Sequence, residues 1–564
     1  MTLSLVWLAA PGRRAAALLL FASTACSDAS RTTDGGEAGG TMLITAPGSG
    51  TYPLLPPFAA DGLSRLVTDN VFDRLAEIGP ALNTRGTEGF TPRLAESWEY
   101  AADSMSIAFR IDPRARWHDG QPVRASDVRF TLNVLKDPKT ATGYTAVLGT
   151  IDSVSVRDSL TAVIWFNQRT PEQFYDAVYQ LVILPEHVLK DVPHDKLSTS
   201  PSASQPIGSG RFRFASMEPG VRIELIADTA NYRGRAKLDR IIIAFAGEAS
   251  AAVTRLLSGE ADFMEIVPAD VLPRLDSSAT VRPVPYPGLQ YAFLGFNHRD
   301  PRRAGQPHPI FSDRRVRQAI HAALDREAML TNIFGGRGIL GAGPYPRALA
   351  DTTIRVPAFD RARAAALLDS AGWRAGGDGV RMKGGRPLEF GILVPSSSAP
   401  RMRYAVLIQE QLRAVGVRVN IQSMDFNAFA ERQDAGNFDA ALMAQATDPT
   451  PATTRQNWAT SGIPPAGQNN TRYSNPRVDA LLDSSLMSFD VARGREQYRR
   501  AVQNIIDDVP AVWLYDVLTV AGVHRRIRPE GMRADAWWSG LADWWIPADE
   551  RIDRDRIGLR PAQP

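Results

Sequence analysis

Apolar and polar side chains alternate at Ile107, Phe109 and Ile111, the period of a strand that buries one face. A turn at Asp119-Gly120 follows, and Val128, Leu132 and Leu135 then recur at helical spacing behind Ser126, a residue type able to cap a helix start. The same two periods predict a strand over 42–45, a helix over 63–75 and a hairpin from Val154 and Val156 into 163–166. Further alternation appears at Phe212 and Phe214 and at Val221, Ile223 and Leu225, whereas 238–245 is apolar at nearly every position, as in a strand covered on both faces. Later in the chain the pattern predicts helices over 250–257, from a Ser312 cap, over 360–371 and over 404–415. Strands are expected at Val417, Val419 and Ile421 and over 438–443, and the run 291–297 (YAFLGFN) opens a further region.

At 564 residues the chain exceeds one ordinary core, so two or three domains are expected. A hydrophobic fraction of 44% with 22% charged residues is that of a soluble globular protein. The net charge of +3 includes Arg13 and Arg14, and losing them leaves about +1, which gives no electrostatic footprint for nucleic acid. Arg314-Arg315 and Arg525-Arg526 read as solvated faces.

Cys26 is the only cysteine, which excludes an internal disulfide and a cysteine-rich metal site. Arg13-Arg14, the apolar run 15–22 and Ser23-Thr24-Ala25-Cys26 together read as a secretory leader, too short to span a bilayer. Residues 27–41 carry almost no apolar side chain larger than alanine and read as a flexible tether. No other stretch is apolar for long enough to cross a membrane, so the body is expected outside the cytoplasm.

Catalytic signatures are sparse: the sequence has no GxSxG, HExxH, CxxC or Walker pattern. His118, one of seven histidines, reads as part of a turn. Gly336-Arg-Gly-Ile-Leu-Gly341 matches GxGxxG literally but follows a helix pattern, so it reads as a loop. No catalytic residue, resident metal or cofactor is expected.

Leu94-Ala-Glu-Ser-Trp98, Arg116-Trp-His-Asp-Gly-Gln-Pro122 and Ala125-Ser-Asp-Val128, in that order, resemble the signature of the peptide/nickel family of extracytoplasmic solute-binding proteins that feed ABC importers. The segments 181–187 (LVILPEH), 206–214 (PIGSGRFRF) and 469–482 (NNTRYSNPRVDALL) continue the resemblance. It implies an α/β, two-lobed periplasmic-binding-protein-like fold of type II (cluster C) with an extra inserted domain. The implied division is a lipoprotein signal at 1–26, the tether at 27–41, domain I from 42–70, 205–285 and 512–564, domain II at 71–204 and domain III at 286–511. The ending Ser23-Thr24-Ala25-Cys26 resembles a bacterial lipoprotein signal, in which the cysteine, here Cys26, is lipidated and would anchor the body to a membrane surface; ordinary cleavage near Ala25, leaving a free Cys26 thiol, is the alternative.

The resemblance also places the ligand between domains I and III, hinged on two crossing strands. In peptide-binding relatives the strand matching 438–443 pairs through its backbone with the ligand, and an aspartate nearby receives the peptide's α-ammonium. Aligned on Asp448-Pro449, that position is Gln445, which weakens the case for recognising a free N-terminus because a charge-assisted bond is about twice as strong as a neutral one. Ala441, Met443 and Gln445 are therefore the cleft candidates, with Asp61, Arg455, Trp458 and Tyr515 beside them; each also reads as a surface or packing residue. The C-terminal tryptophans read as packing. The expected partners are a peptide or peptide-like solute, ABC permease and ATPase subunits and the membrane through the anchor, with the protein itself a monomer. A nickel chelate or other non-peptide solute is the alternative within the binding class, and a secreted hydrolase the rival outside it.

Overall fold

The computed structural model describes residues 38–556 apart from 49, 51–52, 60, 141, 143–147 and 350; the expected leader, Cys26 and nearly all of the expected tether lie outside the described residues. Strand β1 (Thr41–Ala46) is largely buried and becomes the middle strand of a seven-stranded sheet. Helix α1 (Gly62–Val71) follows and ends four residues before the expected 75, where Phe72 turns extended.

Strands β2 (Ala95–Tyr100), β3 (Ser106–Ile111), β4 (Ile151–Asp158) and β5 (Thr161–Phe166) make an antiparallel sheet in the order β2-β3-β5-β4. Helix α2 (Ala125–Lys136) packs on it, and helix α3 (Gln173–Tyr179) lies nearby. Ser126 does not cap α2. Arg124 is the cap position, and its N–H donates to Asp127 Oδ2 at 2.8 Å, because a carboxylate inside the first turn outcompetes the hydroxyl. Asp127 also accepts from Trp117 Nε1 at 3.3 Å and from Glu186 N at 2.9 Å, so one buried carboxylate ties together the turn, the helix start and the 181–187 segment. His118 acts likewise: its N–H donates to Gly208 O at 2.7 Å and its Nδ1 accepts from Gly208 N at 3.2 Å. A Cβ at Gly208 would stand 1.8 Å from Val71 O, so only glycine lets the returning chain press on the end of α1.

The chain then adds β6 (Phe212–Glu218), β7 (Arg222–Ala227), β8 (Arg240–Phe245), β9 (Phe263–Met264) and β10 (Val281–Tyr286) to the first sheet. Strand β8 runs parallel to β1 and antiparallel to β7, and Ile241 and Ile243 are wholly buried. Each such isoleucine contributes about 1.5–3 kcal/mol. One hydrophobic core runs without a break from Met42 and Ile44 through Leu94, Phe109 and Leu132 to Trp537, Trp538 and Trp544, so both sheets belong to one packed body, the first body.

The second body is built on a six-stranded sheet. It begins with β11 (Gln290–Phe296) and helix α4 (Arg314–Ala323), capped by Asp313 and not by the expected Ser312. Strand β12 (Ile339–Leu340), β13 (Glu389–Pro395), helix α5 (Ala399–Arg413), β14 (Arg418–Met424) and β15 (Ala440–Ala446) follow. After these come helices α6 (Pro451–Trp458), α7 (Pro476–Met487) and α8 (Val491–Asp508), and then strand β16 (Ala511–Asp516). The order is β12-β16-β11-β15-β13-β14, with separate apolar clusters on the sheet's two faces. Strand β17 (Thr519–His524) returns to the first sheet between β9 and β10.

Two expected boundaries therefore move. The division at 511/512 falls inside β16, which pairs along β11, and the division at 285/286 cuts the last residue from β10. The chain crosses between the bodies at 287–289 and 517–518, and these crossings are neighbours: Val517 N donates to Gln290 O at 3.0 Å, and a Cβ at Gly288 would stand 3.1 Å from Val517 O.

Candidate functional site

Strand β15 is AALMAQA, and its register with β11 is unbroken from Ala440↔Phe296 to Ala446↔Gln290. Asp439 O accepts from Asn297 N and Thr447 N donates to Leu289 O, so odd-numbered residues turn their backbone groups toward β11. Alternation turns those of Leu442, Ala444 and Ala446 the other way. On that side β13 pairs only with Ala440 and Ala441, and beyond it Arg401 Nη1 reaches Leu442 O at 3.4 Å. Ala444 and Ala446 are exposed there, which leaves a strand edge able to accept another extended chain.

The loop that continues β15, from Thr447, lines a cavity of about 310 Å³ between the two bodies, near the lower end of the roughly 300–1,000 Å³ usual for ligand sites. Its first-body wall includes Leu82, Thr84 and Arg85, and its second-body wall Tyr345, Thr447, Asp448 and Thr450. Leu82 is held at φ 51, a left-handed conformation uncommon outside glycine and a form of strain often found at ligand sites. A larger cavity of about 710 Å³, lined by Trp373, Lys383 and Gln422, lies wholly within the second body.

The bodies touch beside the smaller cavity. Glu172 accepts from Thr84 Oγ1 at 2.5 Å within its own body and from Thr450 Oγ1 at 2.7 Å across the gap. Arg85 Nη2 donates to Ser485 Oγ at 2.8 Å, and the Arg169 guanidinium lies 4.1 Å from the Phe489 ring centroid. Burial pushes the Glu172 carboxyl up, while the two threonine hydroxyls and Arg85 act against that.

The family model described as "Bacterial extracellular solute-binding proteins, family 5 Middle" matches residues 89–464, more than half of the 564-residue chain. The chain belongs to this family. The family 5 protein is 26% identical over 492 residues to the oligopeptide-binding protein AppA of Bacillus subtilis, spanning 85% of this chain and 86% of AppA. It is 25% identical over 483 residues to the glutathione-binding protein GsiB of Pectobacterium atrosepticum, spanning 84% and 88%. In structure it resembles AppA in complex with a nonapeptide (TM-score 0.69, 24% identity, 90% of this chain and 99% of AppA). It also resembles NikZ of Campylobacter jejuni in complex with Ni(L-His) (TM-score 0.70, 21% identity, 90% and 99%). These structures share the two-lobed α/β fold.

Within the family 5 protein the expected site residues divide. Ala441, Met443 and Gln445 lie on β15 at the odd-numbered positions, whose backbone groups face β11 and not the open edge. Ala441 and Met443 pack into the core, and Gln445 accepts from Tyr291 Oη at 2.8 Å while its Nε2 donates to Gln468 O at 3.0 Å. Trp458 is 1% exposed, gives its Nε1–H to Tyr291 Oη at 3.0 Å and packs on Trp513, so it is core and not a cleft wall. Asp61 caps α1, accepting from Leu63 N and Ser64 N. Arg455 pairs with Asp483 at 2.5 Å on the surface of α7. Tyr515 stacks on Tyr404 with centroids 5.0 Å apart inside the second body, two residues before the crossing.

Asp448, Arg85 and Glu172 were not among the expected contacts. Asp448 was visible only as the anchor of the Asp-Pro pair, and Arg85 and Glu172 lie in 71–204, the expected domain II, whereas the ligand is expected between domains I and III. The cavity wall at 81–85 belongs to that segment, so the second domain, and not the first alone, faces the cavity. Among the described residues no group of three or more His, Cys, Asp or Glu side chains is placed to hold a metal ion, and no helix is long and apolar enough to cross a membrane.

Proposed function

We propose that this protein is the solute-capturing component of an ABC importer, that it encloses a peptide or peptide-like solute between its bodies, and that the loaded form is read by permease and ATPase subunits. The observation that carries this reading is the open edge of β15, whose next residues, from Thr447, line the cavity between the bodies: extended peptides bind by adding a strand to such an edge. Membership of a solute-binding family and the likeness to AppA in complex with a nonapeptide support it. The paired crossings at 287–289 and 517–518 serve as the hinge, and the solute stabilises the closed form in proportion to its preference for that form. The protein breaks no bond; ATP hydrolysis and translocation belong to its partners.

Lipidation of Cys26 would hold the monomeric body at the outer side of a membrane. The sequence of small residues before Cys26 supports this, and incorporation of a labelled fatty acid, abolished by Cys26→Ser, tests it. The solute is tested by mass spectrometry of small molecules released on denaturing the purified protein. Peptides in the released fraction are expected; conversion of added peptides into new products would replace the binding reading with a hydrolase.

One observation favours a second solute class. Position 445, where the resemblance places an aspartate in peptide-binding relatives, is a glutamine whose side chain is engaged on both ends by Tyr291 and Gln468. A nickel chelate brings its own ligands and needs no such group, and titration with Ni(L-His) distinguishes the two.

A further inference from the structure

Asp516 is the last residue of β16, and the chain leaves the second body directly after it, at 517–518. It is 4% exposed. Its Oδ2 accepts from the backbone N–H of Arg347, while its Oδ1 has no partner and no cation pairs with it among the described residues. The Arg347 guanidinium turns elsewhere, giving an Nη2–H to Leu340 O on β12 at 3.2 Å.

Arg347 opens a single helical turn, Arg347–Leu349, which the carboxyl thereby ties to the strand that leads into the crossing. The same loop lines the solute cavity with Tyr345, Ala348 and Leu349, and Leu349 packs on the core of the first body. One carboxyl thus fastens a stretch of cavity wall that touches both bodies.

An acid in this position is costly to ionise. Burial pushes its pKa up to about 7, and the Arg347 N–H and charge act against that. Of the strands beside it, β11 presents Tyr291, whose phenol burial keeps neutral, and β12 presents the apolar Ile339. Once ionised, the carboxylate has a single donor for its charge and gains hydration only where the loop lets go. Released from the loop as the bodies part, the group meets water and returns toward about 3.9. The closed form therefore binds the proton more tightly. Closure is favoured fully below the open-form value, and the advantage is lost as pH rises through about 7.

We propose that Asp516 is a positioning residue: it fastens the 345–349 wall to the strand entering the hinge, and its protonated form holds that wall in place as the bodies close on solute. The inference rests on the reading above that the bodies enclose a solute.

The test follows hydrogen exchange of segment 345–349 by mass spectrometry in the full, solute-free chain, with rates corrected for the intrinsic effect of pH. Affinity for a pool of tripeptides is measured alongside. Between about pH 6 and pH 8 the segment should lose about tenfold in protection and the pool about tenfold in affinity, the change that one linked proton produces across that window. Asp516→Asn, which keeps an acceptor and carries no charge, should remove most of both changes. Asp516→Ala should lower protection at every pH, and Glu172→Gln should leave the change in 345–349 in place. Protection that is level with pH in the parent protein, or that falls equally in Asp516→Asn, overturns the assignment whatever the peptides do. An affinity that stays level while protection falls overturns the link to closure. The expected exchange with no tripeptide bound at either pH keeps the assignment and overturns the peptide reading instead.

Discussion

Arg85 and Gly494 meet across the gap between the two bodies: a Cβ at position 494 would stand 1.9 Å from Arg85 Nη1. Gly494 lies in the first turn of α8, and the Arg85 guanidinium rests in the space its missing side chain leaves. The contact is extended by Ser485 Oγ, which accepts from Arg85 Nη2 and donates to Gly494 O at 2.9 Å. A glycine inside a helix costs about 1 kcal/mol relative to alanine. Here that cost is offset by a seat for a charge from the opposite body.

Gly494→Ala should therefore separate local stability from closure. The methyl group favours α8 but expels Arg85, and Arg85→Ala empties the same seat from the other side. Each variant is expected to weaken solute binding by about tenfold through a shift toward the open form, and Gly494→Ala does so without altering the cavity wall. Small-angle scattering of the solute-free protein should show a larger radius of gyration. The double variant should be no worse than either single one; additive losses would mean the two residues act separately.

Glu172 gives the same clasp a pH dependence. Closed, its carboxyl is buried and its pKa raised; open, it meets water on the Thr450 side and returns toward an ordinary value of about 4.3. The closed form thus binds the proton more tightly. Closure is favoured fully below the open-form value, and the advantage is lost as pH rises through the closed-form value. Solute affinity measured from pH 4 to 8 should fall with rising pH, and Glu172→Gln should flatten much of that slope. An affinity that climbs with pH in the parent protein would contradict the assignment.

Much of the scaffold is legible in the sequence. The run 238–245 announced a strand buried on both faces, and β8 is that strand. Helix starts were displaced from Ser126 and Ser312 because a nearby aspartate takes the cap or first-turn role more strongly than a hydroxyl. The expected cleft residues on β15 fall at positions whose backbone groups pair with β11, whereas the open edge is made by the even-numbered ones. In AALMAQA small residues occupy both sets of positions, so no apolar period declares which backbone groups face outward. The clasp had no local signal at all: Arg85 and Ser485 are 400 residues apart, and neither belongs to a pattern that one sequence can display.

Tyr291 holds the floor beneath the β15 edge. Its hydroxyl donates to Gln445 and accepts from Trp458 Nε1, all three residues being buried. Tyr291→Phe keeps the ring but leaves a buried acceptor and a buried donor without partners, at about 1–3 kcal/mol each. Chemical denaturation should show a loss of about 2–4 kcal/mol. Because Gln445 is then free to turn, the variant should also alter solute binding; a fall in stability with unchanged affinity would show that Gln445 is isolated from the solute.

Arg526 joins the pieces of the seven-stranded sheet that are most distant in sequence. Only 3% exposed, it donates through Nε to Asp262 Oδ1 at 2.7 Å, through Nη1 to Asp555 Oδ2 at 2.7 Å and through Nη2 to Thr41 O at 2.9 Å. Asp555 Oδ1 in turn accepts from Thr41 N at 2.7 Å, and Asp262 Oδ2 from Leu43 N at 2.8 Å. The attraction of the two aspartates outweighs the burial of the guanidinium and raises its pKa, so the cation is held in its charged form. Arg526→Ala leaves two carboxylates facing each other with only Arg554 beside Asp262, and breaking a buried pair in this way costs about 3–5 kcal/mol. The first body should melt earlier while the second keeps its transition, since β17 is the strand disturbed and β16 is not. A single cooperative transition shifted as a whole would instead mean that the two crossings couple the bodies more strongly than the separate cores imply.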